Sequence, residues 1–405
     1  MTTNEIRVLA DGSLTSTPGF KAGAVYAGIK TPGPDKLDVG MIVSDVPCVV
    51  AATFTQNRFA AAPVGVSREH VARMTGRGIV FNAGNANACT GEQGLRDALE
   101  MTERAATKIG DRPEAFLVAS TGVIGVPMDM DKIRSGIESI QLSDAAGHAV
   151  ARAMMTTDTR PKEIAVEIPL SSGPVILAGA TKGAGMIHPN MATMLCFLTT
   201  NAVLQPDFAH EVLLDIVNDT FNMISIDRDT STNDSVMLLA NGLAGNEPLV
   251  KGDDAFLFAM GLRHVCTYLA TSIVRDGEGM TKFFEVRVRG ARSPMEARLG
   301  ARAVVASNLV KTALYGADPN WGRILAAMGN TSVTVDPTKV DVSIGDAPVC
   351  RGGSAQGLDK EAARAVLQGS EIVIQVDLHM GESEATAWGC DLTEGYVQEN
   401  SLYTT

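Results

Sequence analysis

The sequence predicts an α+β fold in which mixed sheets are layered with helices. Short β-type runs recur along the whole chain, each bounded by Gly, Pro or Asn residues that are typical of turns. Segments with helical periodicity alternate with these runs only irregularly, and both kinds also occur in groups. A doubly wound parallel sheet requires regular alternation of strands and helices, so a layered mixed-sheet sandwich is the better prediction.

The predicted strands are apolar runs such as PCVVAATF at 47–54 and MLCFLTT at 194–200. Together they cover residues 47–54, 116–120, 163–169, 174–180, 194–200, 235–240, 284–289, 332–335, 339–344 and 371–378. Their β-branched and aromatic residues favour a pleated, buried backbone.

The predicted helices carry their apolar residues on one face. Across 207–222 this face holds Phe208, Val212, Leu213, Ile216, Val217 and Phe221. Pro206 suits the first position of that helix, and a similar stripe at 254–275 stops at Gly277. Further helices are predicted near 92–109, 143–155, 306–315 and 360–368.

Composition and charge restrict the partners of this chain. With 405 residues, 45% hydrophobic and 20% charged, it can bury a large core, and its length suggests two or three structural units. A net charge of −12 and a pI near 5.0 argue against nucleic acid and membranes, and leave a small zwitterionic or polar substrate. No apolar run has the length of a membrane span and the first residues resemble no signal or transit peptide, so a cytoplasmic location is expected.

Several common catalytic motifs are absent from the sequence. The six cysteines show no CxxC spacing and no Cys/His group has metal-ligand spacing, so free thiols and no metal are expected. There is no GxxxxGKS/T, no GxGxxG that opens a helix, no HExxH and no GxSxG, which removes the main support for a kinase, dehydrogenase, zinc protease or α/β-hydrolase. The histidines at 70, 148, 210 and 264 fall in helix-like segments and are expected to be structural or solvated.

The densest unusual segment is TKGAGMIHPNMATMLCFLTTNA at 181–202. Its glycines lead into a Pro-Asn turn, which can strain the peptide bond before the apolar run that begins at Thr193. Attack of the Thr193 hydroxyl on the Ala192 carbonyl would form an ester, and hydrolysis would free the α-amino group of Thr193. That amine has an ordinary pKa of about 7.7–8.0, so one residue would supply both nucleophile and base. On spacing alone, the commoner interpretation is that Thr193 merely starts a strand.

The motif KGAGMIHPNMATML resembles the cleavage-site signature of the ornithine acetyltransferase family, also called glutamate N-acetyltransferase. The likeness covers the whole chain, with blocks GFKAGAVYAGIK, NAGNANACTG, ASTGVIG, MMTTDTRPK, DTSTNDSV, RDGEGMTKF, KTALYGADPNWGRI and GYVQENSLYTT in the family's order. It implies a fold similar to that of the self-processing aminopeptidases and ornithine acetyltransferases, with a second, smaller α/β domain. It also implies self-cleavage at Ala192–Thr193 into residues 1–192 and 193–405, the second piece including the smaller domain.

The resemblance also implies catalytic residues. Thr121 and Gly122 match the family's oxyanion-stabilising pair, and a Ser-Thr-Gly turn after a strand can aim hydroxyl and backbone donors at one point. Lys182 matches a lysine that contacts the substrate, where an ammonium would meet a carboxylate. Without the family, a plain strand-ending turn and a surface lysine are the expected interpretations of these residues.

Further substrate contacts are implied nearer the C-terminus. Glu278 matches the acidic contact for the substrate's amino group, and Asn400 and Thr405 match C-terminal contacts where a frayed tail is the usual expectation. Thr156 matches another contact. Thr157 and Thr159 are close enough to take its place.

Two positions depart from the family pattern. Arg228 occupies a position that is usually glycine, in a turn expected to be tight, and Met280 stands where a small residue is usual. The segment around Thr193 shows no such departure, so the implied chemistry is unaffected.

The implied reaction is a double displacement. Thr193 takes the acetyl group of N2-acetylornithine, ornithine leaves, and glutamate accepts the acetyl group to give N-acetylglutamate. No cofactor is implied, and acetyl-CoA is a donor in bifunctional members of the family. The implied assembly is a heterotetramer with two copies of each piece. The alternatives are a self-processing aminopeptidase-type hydrolase, which gives the acyl group to water, and an uncleaved binding or scaffold protein.

Overall fold

A computed structural model describes residues 5–30, 36–188, 194–355 and 360–402. In chain order its strands β1 to β15 are Arg7–Val8, Phe20–Val25, Val39–Phe54, Thr75–Asn85, Phe116–Val123, Lys162–Leu170, Gly173–Lys182, Leu195–Thr200, Ile224–Ser225, Ser235–Ala240, Phe283–Ala291, Asp341–Ile344, Ala347–Cys350, Glu371–Asp377 and Ser383–Cys390. Its helices α1 to α11 are Ala62–Val71, Gly91–Ile109, Met130–Ser139, Gly147–Met154, Pro206–Asp219, Asp253–Val274, Pro294–Val305, Asn308–Tyr315, Trp321–Gly329, Lys360–Leu367 and Glu394–Leu402. Mixed sheets layered with helices confirm the predicted α+β class.

The larger sheet has the strand order β1-β6-β7-β8-β10-β3-β4-β5, and β2 pairs with β3 beside this path. The pairs β8–β10 and β4–β5 are parallel, whereas β7–β8 and β3–β10 are antiparallel. Leu195, the first residue of β8, lies opposite Lys182 of β7 and Ser235 of β10. The predicted cleavage point falls between β7 and β8, so both predicted pieces contribute neighbouring strands to this one sheet.

The smaller sheet has the order β13-β12-β14-β11-β15-β9, and all of its strands follow residue 193. Helices α5 and α6 pack on the larger sheet, α6 against β6 and β7, while α7 covers β11 and β15. A continuous apolar core joins these helices to both sheets. Helices α2 and α3 cover the β3–β5 end of the larger sheet with a separate apolar cluster.

Among the described residues, one helix is long and apolar enough to cross a membrane by length and composition alone. This is α6, with 22 residues. Half of its most apolar stretch is buried, and its packing on β6 and β7 is that of a core helix. Length and composition are therefore weak grounds for a membrane span here.

The predicted strand at 332–335 is wrong. Val333 is buried and packs against the core, but the backbone there is irregular and follows α9 into a turn. Both edges of the next strand, β12, are already paired, one with β13 and the other with β14. Residues 332–335 therefore cannot pair with β12. Their alternating pattern reflects burial of side chains without pairing of the backbone.

Candidate functional site

A cavity of about 320 Å³ opens where β5 and β7 end and β8 begins. Six of the predicted site residues line it: Thr121, Gly122, Thr156, Lys182, Glu278 and Asn400. They come from segments far apart in sequence, and the fold brings them together. Ala192, Thr193 and Thr405 lie outside the described residues. Ile187 and Met194, which flank the predicted cleavage segment, line the same cavity.

Gly122 forms the wall at the end of β5, where this strand pairs in parallel with β4. Its φ of +132° is one that residues with a side chain rarely adopt. A Cβ on Gly122 would lie 2.2 Å from the carbonyl carbon of Gly84 and 2.5 Å from the amide nitrogen of Asn85. The register of the two strands shifts at this point. Only glycine fits here, and its position beside the cavity is compatible with an oxyanion donor.

Buried amide side chains fix the residue before Thr121. The Ser120 carbonyl accepts a hydrogen bond from Asn233 Nδ2 at 2.8 Å, and the Ser120 hydroxyl donates to Asn82 Oδ1 at 2.6 Å. Asn233 also donates to the Ala86 carbonyl, so β5, β4 and the segment before β10 are held together. Such satisfied buried networks rigidify a site. In the sequence, NAGNANACTG and DTSTNDSV are recognisable only as family blocks. The fold shows that residues of both blocks form the wall of the cavity.

Lys182 places a buried ammonium at the cavity. The residue is 8% exposed, and among the described residues its Nζ donates no hydrogen bond. Burial lowers the pKa of Lys182, while the nearby carboxylates of Asp158, Asp234 and Glu278 favour its charged form. A desolvated cation beside an open cavity is a strong site for a ligand carboxylate.

Glu278 also lines the cavity and lies beside segment 183–185. Its backbone N–H donates to the Ala184 carbonyl at 3.0 Å, and a Cβ on Gly185 would lie 2.3 Å from its carboxylate. Asn400 Nδ2 donates to Glu278 Oε2 at 2.8 Å. The lining of the cavity therefore includes a cation and a carboxylate with an amide partner, and these charges are complementary to the carboxylate and amino groups of an amino acid.

Helix α11, which carries Asn400, packs against the loop of Glu278. Gly279 has a φ of +63°, and a Cβ there would lie 2.2 Å from the Tyr396 amide nitrogen. The Thr393 hydroxyl donates to the Gly279 carbonyl at 2.6 Å. The glycine beside Glu278 is thus required for close approach of the C-terminal helix, and the helix in turn positions Asn400.

The threonine run separates into two groups. Thr156 and Thr157 line the cavity, whereas the Thr159 hydroxyl and amide both donate to Asp276. The Thr156 amide donates to Asp158 at 2.9 Å. Of the three threonines considered from the sequence, Thr159 is thus occupied elsewhere, and Thr156 and Thr157 remain candidates for a substrate contact.

Comparison with known proteins decides the family. The family model described as "ArgJ family" matches residues 21–405. The chain is 47% identical to the "Arginine biosynthesis bifunctional protein ArgJ" of Dehalococcoides mccartyi, with 99% of this chain and 100% of that protein covered. It is 49% identical to the protein of the same name from Symbiobacterium thermophilum, with 97% and 99% covered.

The chain belongs to the ArgJ family. Among solved structures, a chain of the arginine biosynthesis bifunctional protein argJ from Bacillus halodurans is 44% identical, with a TM-score of 0.51. All of that chain is covered by 52% of this one. The expected family and fold are confirmed.

The two departures from the ArgJ pattern have different structural outcomes. Arg228 is exposed and has a φ of +72°, a backbone conformation that favours the glycine usual at this position in the family. The arginine therefore adopts a strained backbone. The adjacent Asp227 accepts hydrogen bonds from the amides of Met186 and Ile187, which anchors the wall of the cavity to this turn. Met280 packs against the core.

Sequence reasoning missed two lysines at the cavity, Lys30 and Lys36. Burial lowers the pKa of Lys30 to about 8. Its Nζ donates to the carbonyls of Leu37 and Ala153 at 2.7 and 2.8 Å, which ties the cavity rim to the end of α4. For Lys30, the signal in the sequence was its place at the end of the family block GFKAGAVYAGIK.

Proposed function

We propose that this chain cleaves itself at Ala192–Thr193 and transfers the acetyl group of N2-acetylornithine to glutamate through an acetyl-Thr193 ester. Its relatives are named arginine biosynthesis bifunctional proteins, and this chain covers nearly their full length. The observation that carries the proposal is the convergence of Thr121, Gly122, Lys182 and Glu278 on one cavity that Met194, the residue after Thr193, also lines.

Self-cleavage is supported by the topology around the proposed bond. Strands β7 and β8 are paired on either side of it, so the two pieces remain joined by a sheet after the chain is cut. The Bacillus halodurans chain is matched along its whole length by 52% of this one, a share close to that of residues 193–405. The proposed pieces are residues 1–192 and 193–405, the latter with the smaller sheet as its α/β domain.

In the first half-reaction, the freed amine of Thr193 accepts the hydroxyl proton as Oγ attacks the acetyl carbonyl. The backbone N–H of Gly122 and the Thr121 hydroxyl donate to the resulting oxyanion. The carbon–nitrogen bond then breaks, and the proton passes from the amine to the departing nitrogen of ornithine. The acetyl group remains as an ester on Thr193.

In the second half-reaction, the amino group of glutamate attacks the same ester and loses a proton to the Thr193 amine. The tetrahedral intermediate collapses, and N-acetylglutamate leaves as the hydroxyl regains its proton. The same groups of the cavity serve both half-reactions, because acetylornithine and glutamate are both α-amino acid derivatives.

Substrate recognition follows from the charges of the cavity. Lys182 pairs with a substrate carboxylate, while Glu278, held by Asn400, pairs with an amino group of the substrate. Thr156 and Thr405 supply further polar contacts in this proposal. The word "bifunctional" in the names of the relatives supports a second activity, in which acetyl-CoA acetylates Thr193 in place of acetylornithine. No other cofactor enters the reaction. We place the enzyme in the cytoplasm as a heterotetramer of two first and two second pieces.

Product analysis tests the proposed function. The purified protein is incubated with acetyl-labelled N2-acetylornithine, with and without glutamate, and then with acetyl-CoA and glutamate. Labelled N-acetylglutamate that appears only when glutamate is present supports the transferase. Free acetate at the same rate without glutamate would support the aminopeptidase-type hydrolase, and no turnover would support an uncleaved binding protein.

A further inference from the structure

We infer that Lys162 is a positioning residue whose buried ammonium joins the two proposed pieces and holds the substrate contacts of both in register. This inference rests on the proposed function. Lys162 and Asp158 precede the proposed cleavage site, and Asp276 follows it. None of the three is among the described residues that line the cavity.

The ammonium lies between two carboxylates in a dry environment. Lys162 Nζ is 2.6 Å from Asp158 Oδ1 and 2.5 Å from Asp276 Oδ2, and the three side chains are 1%, 0% and 4% exposed. Burial of such charges is costly unless each is paired and hydrogen-bonded. Here that condition is met, because the ammonium is paired and hydrogen-bonded to both carboxylates.

Each carboxylate is also tied to a segment that carries cavity-lining residues. Asp158 accepts hydrogen bonds from the Thr156 amide at 2.9 Å and from the Gly183 amide, next to Lys182, at 2.7 Å. Asp276 accepts from the Thr159 amide at 3.0 Å and stands two residues before Glu278. One ammonium therefore links the segments that carry Thr156, Lys182 and Glu278.

The cluster also acts on the charge of the cavity. Asp158 is close enough to Lys182 to favour its charged form, and the pair Lys162 and Lys182 holds the pKa of Asp158 at about 2 against the opposing effect of burial. Once the bond before Thr193 is cut, the chain no longer connects Lys182 to the second piece. The bridge from Lys162 to Asp276 then fixes the distance between the cation and Glu278 without a covalent link.

The test is the double variant Lys162→Met/Asp276→Asn. It removes one positive and one negative charge together, so Asp158 keeps Lys182 as its counter-ion and the buried charge stays balanced. The matched control is Arg77→Met/Asp111→Asn, another ion pair with an N–O distance of 3.2 Å, whose residues do not line the cavity. Two acetyl donors are compared: N2-acetylornithine, and p-nitrophenyl acetate, which carries neither the carboxylate nor the amino group that the cavity recognises.

For the double variant we expect kcat/KM with acetylornithine to fall about 10- to 100-fold, mainly through a higher KM. The rate with p-nitrophenyl acetate and the extent of self-cleavage stay close to those of the wild type and the control. If the double variant does not fold, the single variant Asp276→Asn is used for the comparison. Its KM should rise less, because the ion pair between Lys162 and Asp158 is still present.

Two outcomes overturn the inference. One is an unchanged KM for acetylornithine in folded variant protein. The other is an equal loss with both donors, because a merely structural role would reduce the active fraction without distinguishing them. Failure of the proposed function itself is distinguishable, since wild-type protein would then transfer no acetyl group from acetylornithine to glutamate.

Discussion

Replacement of Gly122 by Ala tests the proposed oxyanion site most sharply. An added Cβ would lie 2.2 Å from the Gly84 carbonyl carbon, whereas unstrained carbon contacts are about 3.5–4.0 Å. The backbone of β4 or β5 must therefore move by more than about 1 Å. That displacement carries the amide of Gly122, the proposed donor, away from its place in the cavity.

The size of the effect follows from the two contributions. Loss of one oxyanion donor costs about 10²- to 10³-fold in kcat. A misplacement of about 1 Å can itself cost about 10²-fold. Because both describe the same movement, we expect a fall of about 10²- to 10³-fold in kcat, not their product. The positive φ adds about 1–3 kcal/mol of backbone strain to the folded state.

Gly125→Ala is the matched control, since Gly125 also has a positive φ, +80°, but a Cβ there meets no atom within 4 Å. Both variants are assayed for acetyl transfer and for release of p-nitrophenol from p-nitrophenyl acetate, after thermal unfolding has shown that they fold. The control should lose stability but retain its kcat. A Gly122→Ala enzyme that keeps the kcat of the control would refute the assignment of Gly122 to the oxyanion site.

Three further predictions follow from charges and backbone strain. Lys182→Met should raise the KM for acetylornithine about 10- to 100-fold, because a charged hydrogen bond of about 1.5–3 kcal/mol is lost. Burial lowers the pKa of Lys182, so its ammonium should lose its charge, and the wild-type KM should rise, at a pH below the ordinary pKa range of lysine. A ratio of the KM values of Lys182→Met and wild type that does not change with pH would contradict this. Arg228→Gly should raise the free energy of unfolding by about 0.5–1 kcal/mol, because it relieves the strain of an arginine at φ +72°; denaturant titration that shows a loss would disprove it. The Asp158 carboxyl has a folded pKa of about 2 against about 3.9 when unfolded, so its stabilisation is present above pH 4 and is lost as pH falls towards 2. Asp158→Asn should flatten this decline, by on the order of 2 kcal/mol, and parallel acid profiles of the two proteins would count against it.

The sequence predicted strands well where the apolar run itself carried the signal. The runs at 194–200 and 235–240 coincide with β8 and β10, which are buried along their length. Strand β4, TGRGIVFNAGN, was missed because its glycines resemble turns. The fold needs them: a Cβ on Gly78 would lie 2.4 Å from the Ile42 carbonyl of the neighbouring strand. Close strand packing is a tertiary constraint that no local pattern encodes.

The candidate site could be predicted residue by residue only through the family likeness. Nothing in the spacing of Lys182, Glu278 and Asn400 indicates that they meet, because their contact depends on how β7, the loop after α6 and α11 fold together. The Lys162 cluster was missed for the same reason. A lysine and two aspartates separated by up to 118 positions, from Asp158 to Asp276, have no motif.

The proposed chemistry requires that the backbone breaks before Thr193 and leaves that residue with a free amine. N-terminal sequencing of the purified, folded protein tests it directly. We expect two N-terminal sequences in equal amounts, one of which reads TMLCFL from Thr193 onward. A single N-terminus in protein that transfers acetyl groups from acetylornithine to glutamate would contradict it.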